Sequence, residues 1–336
     1  MTPASAELRP PHAARTPPAP DVSVCVVNWN CRDLLRDCLA SLLRHEQGVT
    51  LEVLVVDNAS TDGAAEMVAR EFPKVVLVRN ATNAGFARAN NQAARRARGR
   101  YLFFLNNDTL VPPGAVRRLV DFARTRPDAG LIGPRLRDGA GEFQTSFRLL
   151  PSVGVLLHRV SLLRWTGLFR RAYRRYRGRD GDFETTRTVE ALMGAALLVR
   201  RDIFARHGPW DESFAFGGED VELCHRIGRR HPVVYHPAVE ITHYGRTSSR
   251  QQIGYVHTNM LIGLVRCLRK NGTFRPALWL YKSAATLDAP LQWVAHAAQY
   301  AWRRARGQRE RAEKCRVVMR GVGHFLRRGL PAFWRA

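Results

Sequence analysis

From Asp21 to about Arg135 short β-branched runs alternate with amphipathic stretches, and no other feature of this chain restricts its fold as much. VSVCVV (22–27) is bounded by polar residues and predicts a strand. The segment 31–43 then sets Leu34, Leu35, Cys38, Leu39 and Leu42 at helical spacing. LEVLVV (51–56) predicts a second strand. A helix start is expected over Ser60 to Met67, where Ser-Thr-Asp supplies capping oxygens. VVLV (75–78), YLFFL (101–105) and LIG (131–133) continue the series, with helices near 86–97 and 114–125 between them. Such alternation implies an α/β fold whose mostly parallel central sheet is covered by helices on both faces.

Open parallel sheets bind ligands beyond the carboxyl ends of their strands, so the residue after each strand carries information. Those residues are polar here: Asn28, Asp57, Arg79, and Asn106 with Asp108. Asn and Asp also serve turns and N-caps in any protein, but exits of this kind converging on one rim favour a polar ligand. The first turn, N-W-N-C-R-D, contains no glycine, which excludes a G-x-G-x-x-G dinucleotide loop, and no G-x-x-x-x-G-K-[ST] occurs. Asn106-Asn107-Asp108 directly follows an apolar strand. A carboxylate at a strand end can hold a hard cation, which can in turn hold a pyrophosphate.

Charge bears on the partner. The formal net charge is +24, and only Lys74, Lys270, Lys282 and Lys314 are lysines. Residues 245–336 carry 18 basic and three acidic side chains, and residues 148–179 carry nine arginines and no acid, mixed with Leu, Trp, Phe and Tyr. Nucleic acid, an anionic membrane surface and an arginine-biased genome are all consistent with this excess. Six cysteines show no zinc-type spacing and no disulfide framework, which suits a reducing cytoplasm. The lead-in 1–20 is rich in Pro and Ala, lacks the apolar core of a signal peptide and reads as flexible. The longest uncharged stretches, 251–265 and 289–302, are shorter than the ~20 apolar residues of a spanning helix.

Seven ordered blocks between about 20 and 250 carry a resemblance. VSVCVVNWNCRDLLRDCLASLL, VLVVDNASTDG, NAGFARANNQAAR, YLFFLNNDT, MGAALLVRRDIF, GPWDESFAFGGEDVELCHRI and ITHYGRTS together resemble the family 2 glycosyltransferases of GT-A fold, in particular their rhamnosyltransferase-like branch. The resemblance implies a GT-A catalytic domain over 21–250. The arginine excess mixed with Trp, Leu, Phe and Tyr marks 148–179 as a basic amphipathic insert and 251–336 as a basic, helical, membrane-associating region. It implies donor contacts from Asn28, Asn30, Asp57, Asn58, Arg79, Asn83, Gly85, Asn90, Asn106 and Asp108. Where the family has two acids at the exit of the second strand, this chain has Asp57 and then Asn58, so which of the two meets the base stays open.

The family's metal-binding D-x-D corresponds to Asn106-Asn107-Asp108, which leaves Asp108 as its anionic ligand, with His243 completing the site around Mg²⁺ or Mn²⁺. Asp220 matches the general base. Trp210, Asp211 and Glu219 match the acceptor side, where an indole face can stack on a sugar ring.

The function so implied is metal-dependent, inverting transfer of a sugar such as rhamnose. The donor is a dTDP- or UDP-sugar, and the acceptor is a glycan or lipid-linked saccharide in cell-surface polysaccharide synthesis. The enzyme is expected in the cytoplasm, bound peripherally to the inner face of the membrane. Two other classes compete. A noncatalytic sugar-nucleotide binder is disfavoured by the presence of Asp220, and a nucleic-acid-binding protein by the lack of any recognisable RNA or DNA module.

Overall fold

Strand and helix succeed one another from β1 (Val22–Asn28) through α1 (Arg32–Arg44), β2 (Leu51–Asp57), α2 (Ala64–Glu71), β3 (Val76–Arg79), α3 (Phe86–Arg96) and β4 (Tyr101–Asn106). The structure, a computed structural model, describes residues 18–44, 48–176, 182–245 and 252–336. Most of the Pro/Ala-rich lead-in, the last residues of the basic insert and the end of the ITHYGRTS block therefore lie outside the described residues.

Period-two alternation explains why these segments are strands buried on both faces. Val22, Val24 and Val26 of β1, Val53 and Val55 of β2, and Phe103 and Leu105 of β4 enter one core cluster. Their neighbours Cys25, Leu54, Val56, Leu102 and Phe104 enter the cluster on the opposite face. Each face is apolar, so each is closed by helices.

After β4 come β5 (Thr109–Leu110), α4 (Ala115–Thr125), β6 (Leu131–Arg137), β7 (Phe143–Gln144) and β8 (Phe147–Arg148). The insert forms three short helices, α5 (Val153–Leu157), α6 (Ser161–Trp165) and α7 (Arg170–Tyr176). β9 (Arg187–Thr188), β10 (Ala191–Leu192), β11 (Ala196–Arg200), α8 (Arg201–His207), α9 (Glu219–Gly228) and β12 (Val233–His243) complete the α/β part. The main sheet runs β3-β2-β1-β4-β11-β6-β12-β5.

Two sequence expectations are corrected here. LIG does not follow YLFFL in the sheet: β11 lies between β4 and β6, antiparallel to both. The GT-A sheet is thus parallel through β3-β2-β1-β4 and mixed beyond. The helix expected from Ser60 starts at Ala64, after a left-handed Gly63. Ser60 and Thr61 are drawn instead toward the exit of β1, where they bond Asn28 and Asn30.

The C-terminal region is helical: α10 (Ile253–Lys270), α11 (Arg275–Ala305), α12 (Arg309–His324), a π-helical turn (Phe325–Gly329) and α13 (Leu330–Arg335). Its core includes Leu156 and Leu157, so the basic insert and the tail pack as one unit. Asp288, buried on α11, accepts the backbone N–H of Ser161 at 2.9 Å. The unit seats on the α/β part at Gly263, whose added Cβ would fall 1.8 Å from the Gly217 carbonyl oxygen. Only glycine admits so close a backbone approach.

Candidate active site

The in-register parallel pairing of β1 and β2 sets Asn28 opposite Asp57, and β3 continues the row with Arg79. Asn28 is fully buried; its Nδ2 donates to Asp57 Oδ1 (3.1 Å) and Ser60 Oγ (3.2 Å), and its Oδ1 accepts from Asn107 (2.7 Å). Asp57 Oδ2 accepts the Ser60 N–H at 2.9 Å. Asn30 and Ala59 are left-handed although neither is glycine. That costs roughly 1–3 kcal/mol at each such residue. Cross-bonds hold the turn in place, among them Asn30 N–H to Ser60 Oγ (3.0 Å) and Thr61 N–H to Asn30 Oδ1 (2.7 Å). Asn58 is turned away from this row. Its Oδ1 accepts from Asn80 (2.8 Å) and the Ala84 N–H (3.3 Å), and its Nδ2 donates to the Gly85 carbonyl (3.3 Å).

A second group lies where β4 ends. Pairing of β12 with β5 sets His243 against Thr109 and so beside Asp108. A register shift after His236, where Pro237 cannot donate to the ladder, re-aims the end of β12. Gln144 Nε2 donates to the His243 carbonyl (3.3 Å), which turns its amide oxygen to ring Nδ1 at 2.6 Å. The Gln144 amide oxygen thus takes the Nδ1 side of the ring, and Nε2 faces Asp108 Oδ1 (3.3 Å) and Asn106 Nδ2 (3.2 Å).

Asp108 and His243 are both buried. A carboxylate oxygen and an imidazole nitrogen facing one another across 3.3 Å are both ligand types that divalent ions take, so this corner fits a divalent cation. Among the described residues no three His, Cys, Asp or Glu side chains are grouped so as to hold a metal ion. An ion here would keep most of its sphere for phosphate and water, as Mg²⁺ and similar ions commonly do.

The third group opens α9. Gly217 and Gly218 are left-handed, and the turn they form delivers Glu219 and Asp220 to the rim. Asp220 Oδ2 accepts the Gly194 N–H (3.2 Å) and lies 3.4 Å from Arg148 Nη2, while its Oδ1 accepts the Val221 N–H (2.9 Å). The residue after Gly194 returns to the metal corner, since the Ala195 carbonyl accepts the Asn106 N–H at 2.9 Å. Two consecutive residues thus tie the α9 carboxylate to the end of β4. Glu219 is buried with Oε2 unpartnered. Burial, and then the Asp220 charge, push its carboxyl well above the ordinary range. Glu219 is therefore neutral near pH 7.

Other expected residues fall elsewhere. Arg79 is exposed and engaged with Glu66 (2.7 Å) and the Ala65 carbonyl. Asn83 Oδ1 accepts the Gly85 N–H (2.9 Å), and Asn90 is buried with its amide on the Phe86 carbonyl (3.1 Å). Trp210 does not stack on an acceptor. It is 1% exposed, edge-on to Phe86 and Phe104, with its backbone bonded to Asn91, because the second core cluster encloses the indole. Asp211 pairs with Lys270 of α10.

Three participants were missed in the sequence. Ser60 was read as a cap, and Gln144 and Arg148 stand in segments with no motif of their own.

The parallel half-sheet, the polar row beyond it and the carboxylate-imidazole corner define the GT-A class of fold. Residues 23–208 match glycosyl transferase family 2, and the chain belongs to that family. It is 30% identical over 288 residues to the N-acetylglucosaminyl-diphospho-decaprenol L-rhamnosyltransferase of Mycobacterium tuberculosis, covering 80% of this chain and 91% of the relative.

Two solved structures share the fold. The mannosyltransferase PcManGT from Pyrobaculum calidifontis, in complex with GDP-Man and Mn²⁺, gives a TM-score of 0.52 at 19% identity, covering 95% of this chain and 87% of that one. GalNAc-T7 with UDP, GalNAc and Mn²⁺ gives 0.52 at 17% identity, covering 67% of this chain and 43% of that longer one. The protein is a glycosyltransferase.

Proposed function

We propose that this glycosyltransferase is metal-dependent and inverting, and moves rhamnose from a dTDP- or UDP-linked donor to a hydroxyl of a lipid-linked saccharide in cell-surface polysaccharide synthesis. The observation that carries the reading is the Gly194-Ala195 tie, which joins the Asp220 carboxylate to the corner of Asn106, Asp108 and His243. The mycobacterial relative, an N-acetylglucosaminyl-diphospho-decaprenol L-rhamnosyltransferase, supports both rhamnose and a polyprenyl-diphosphate-linked acceptor.

In this reading Asn28, Asn30 and Asp57 line the nucleoside side of the rim, and the Asn83-to-Asn90 segment supports it from below. Asp108 and His243 Nε2 would hold a Mg²⁺ or Mn²⁺ ion, which when bound would supply neutralisation of charge on the departing diphosphate. Asp220 accepts the proton of the acceptor hydroxyl as its oxygen bonds the anomeric carbon. The bond from that carbon to the diphosphate oxygen breaks, and its electron pair leaves with the nucleoside diphosphate. One displacement with one base inverts the anomeric centre. Glu219, neutral and partly unpaired, and Asp211 stand on the acceptor side. Transfer to a polyprenyl-diphosphate saccharide, read by product stereochemistry, tests the reading.

A cytoplasmic enzyme acting on such an acceptor works at the inner membrane face, and the surface of the helical unit supports peripheral attachment there. No described helix is long and apolar enough to cross a membrane. On α11, however, Leu280, Leu287, Leu291, Val294 and Trp302 fall on one helical face, and each is 52–73% exposed. Trp165 of the insert is 90% exposed. Arginines 303, 304 and 306 close the same helix. Apolar burial at the headgroup level together with about 1 kcal/mol for each basic side chain near an anionic leaflet suffices for reversible binding.

The protein is expected to sediment with vesicles containing acidic lipid, to bind neutral vesicles weakly, and to be partly released by high salt. Leu287→Glu combined with Leu291→Glu should abolish sedimentation. Binding unchanged by that pair would remove α11 as the membrane face.

A further inference from the structure

Arg148 is a charged side chain close to Asp220 to which the proposed chemistry assigns no task. It ends β8, held against Ala191 of β10, and its Nη2 contacts Met193 Sδ (2.7 Å) as well as Asp220 Oδ2 (3.4 Å). Its Nε is sealed from solvent without a hydrogen-bond partner. Its side chain is 24% exposed, and the partner that offsets the cost of withdrawing the cation from water is the proposed base.

The other titratable groups around Asp220 do not supply a competing positive charge. Burial holds the Cys224 thiol up at about 12 and the Cys267 thiol of α10 higher still. Glu219 is neutral for the reasons given above, and Glu222 is bound to Arg226 at 2.7 Å. Asp220 itself is clamped by donors on both oxygens, and Arg148 is the side-chain donor among them.

We infer that Arg148 is a positioning residue for the transfer step: fixed by the pairing of β8 with β10, it holds the Asp220 carboxylate in the orientation that takes the acceptor proton. The inference rests on Asp220 as the base.

Transfer kinetics of Arg148→Met, Arg148→Gln and Arg148→Lys, beside Asp220→Asn, test the inference. Arg148→Met is expected to lower kcat by ~10-fold or more with donor Kd essentially unchanged, since a misplaced catalytic group costs rate rather than binding. Arg148→Lys should restore part of kcat.

A parent-like kcat in Arg148→Met overturns the inference, as does a loss that Arg148→Lys does not rescue. If Arg148→Met does not fold, a parent-like kcat in Arg148→Gln overturns it. Full activity in Asp220→Asn defeats the base assignment itself, and the inference with it. Loss in Asp220→Asn beside parent-like arginine variants defeats the inference alone.

Discussion

Asp220→Asn is expected to reduce sugar transfer by ~10² or more while donor affinity stays close to that of the parent, the usual size of a general-base effect. The substitution keeps the shape and the backbone contacts: an amide oxygen can still accept from Gly194 or Val221. What it loses is the ability to take a proton. A sugar hydroxyl is a poor nucleophile, so its oxygen must shed that proton as it bonds the anomeric carbon. Glu219 does not substitute, because burial beside Asp220 keeps it protonated near neutral pH and a protonated carboxyl is not a base. Transfer measured at saturating donor and acceptor, with donor affinity measured separately by calorimetry, separates the two effects. Full transfer activity in the variant would reduce Asp220 to a helix-start acid that favours the α9 dipole.

Removal of divalent ions is expected to abolish turnover, and Asp108→Ala and His243→Ala should each raise the Mn²⁺ or Mg²⁺ concentration needed for half activity by an order of magnitude or more. The two side chains meet only because β12 pairs with β5, and Gln144 fixes which imidazole nitrogen faces the carboxylate. Gln144→Ala should give a smaller loss in the same direction, since it frees the ring without removing a ligand. Turnover that survives exhaustive chelation would show that Asp108 acts in another way.

The half of the sheet nearest the N-terminus was legible because β-branched runs of period two, cut by helical spacing, permit few alternatives. β1, β2 and β4 begin and end within a residue of where that alternation places them. The rim was legible for the same reason, since in-register parallel strands carry their exit residues to one level.

What the sequence concealed depends on pairing between distant segments. The run ALLVR is apolar enough to be a strand, but nothing local in it says that it inserts antiparallel between β4 and β6. Ser60 looks like a cap to any local reading, and only the left-handed turns at Asn30 and Ala59 carry it across to β1. Trp210 sits in an acceptor-like block, yet two phenylalanines from α3 and β4 enclose it. Arg148 is one of nine arginines in a run that reads as a solvated or interfacial face, and its pairing with Asp220, 72 positions away, leaves no trace in that pattern.

The proposed transfer is a single displacement at the anomeric carbon assisted by one carboxylate. The most direct measurement is the anomeric configuration of the sugar in the product, determined by NMR after purified protein, Mn²⁺ or Mg²⁺, a dTDP- or UDP-sugar of known configuration and a polyprenyl-diphosphate-linked saccharide have reacted. Inversion relative to the donor, lost together with all transfer in Asp220→Asn, is the expected result. A product that retains the donor's configuration, or donor bound tightly with no transfer to any lipid-linked acceptor offered, would contradict it.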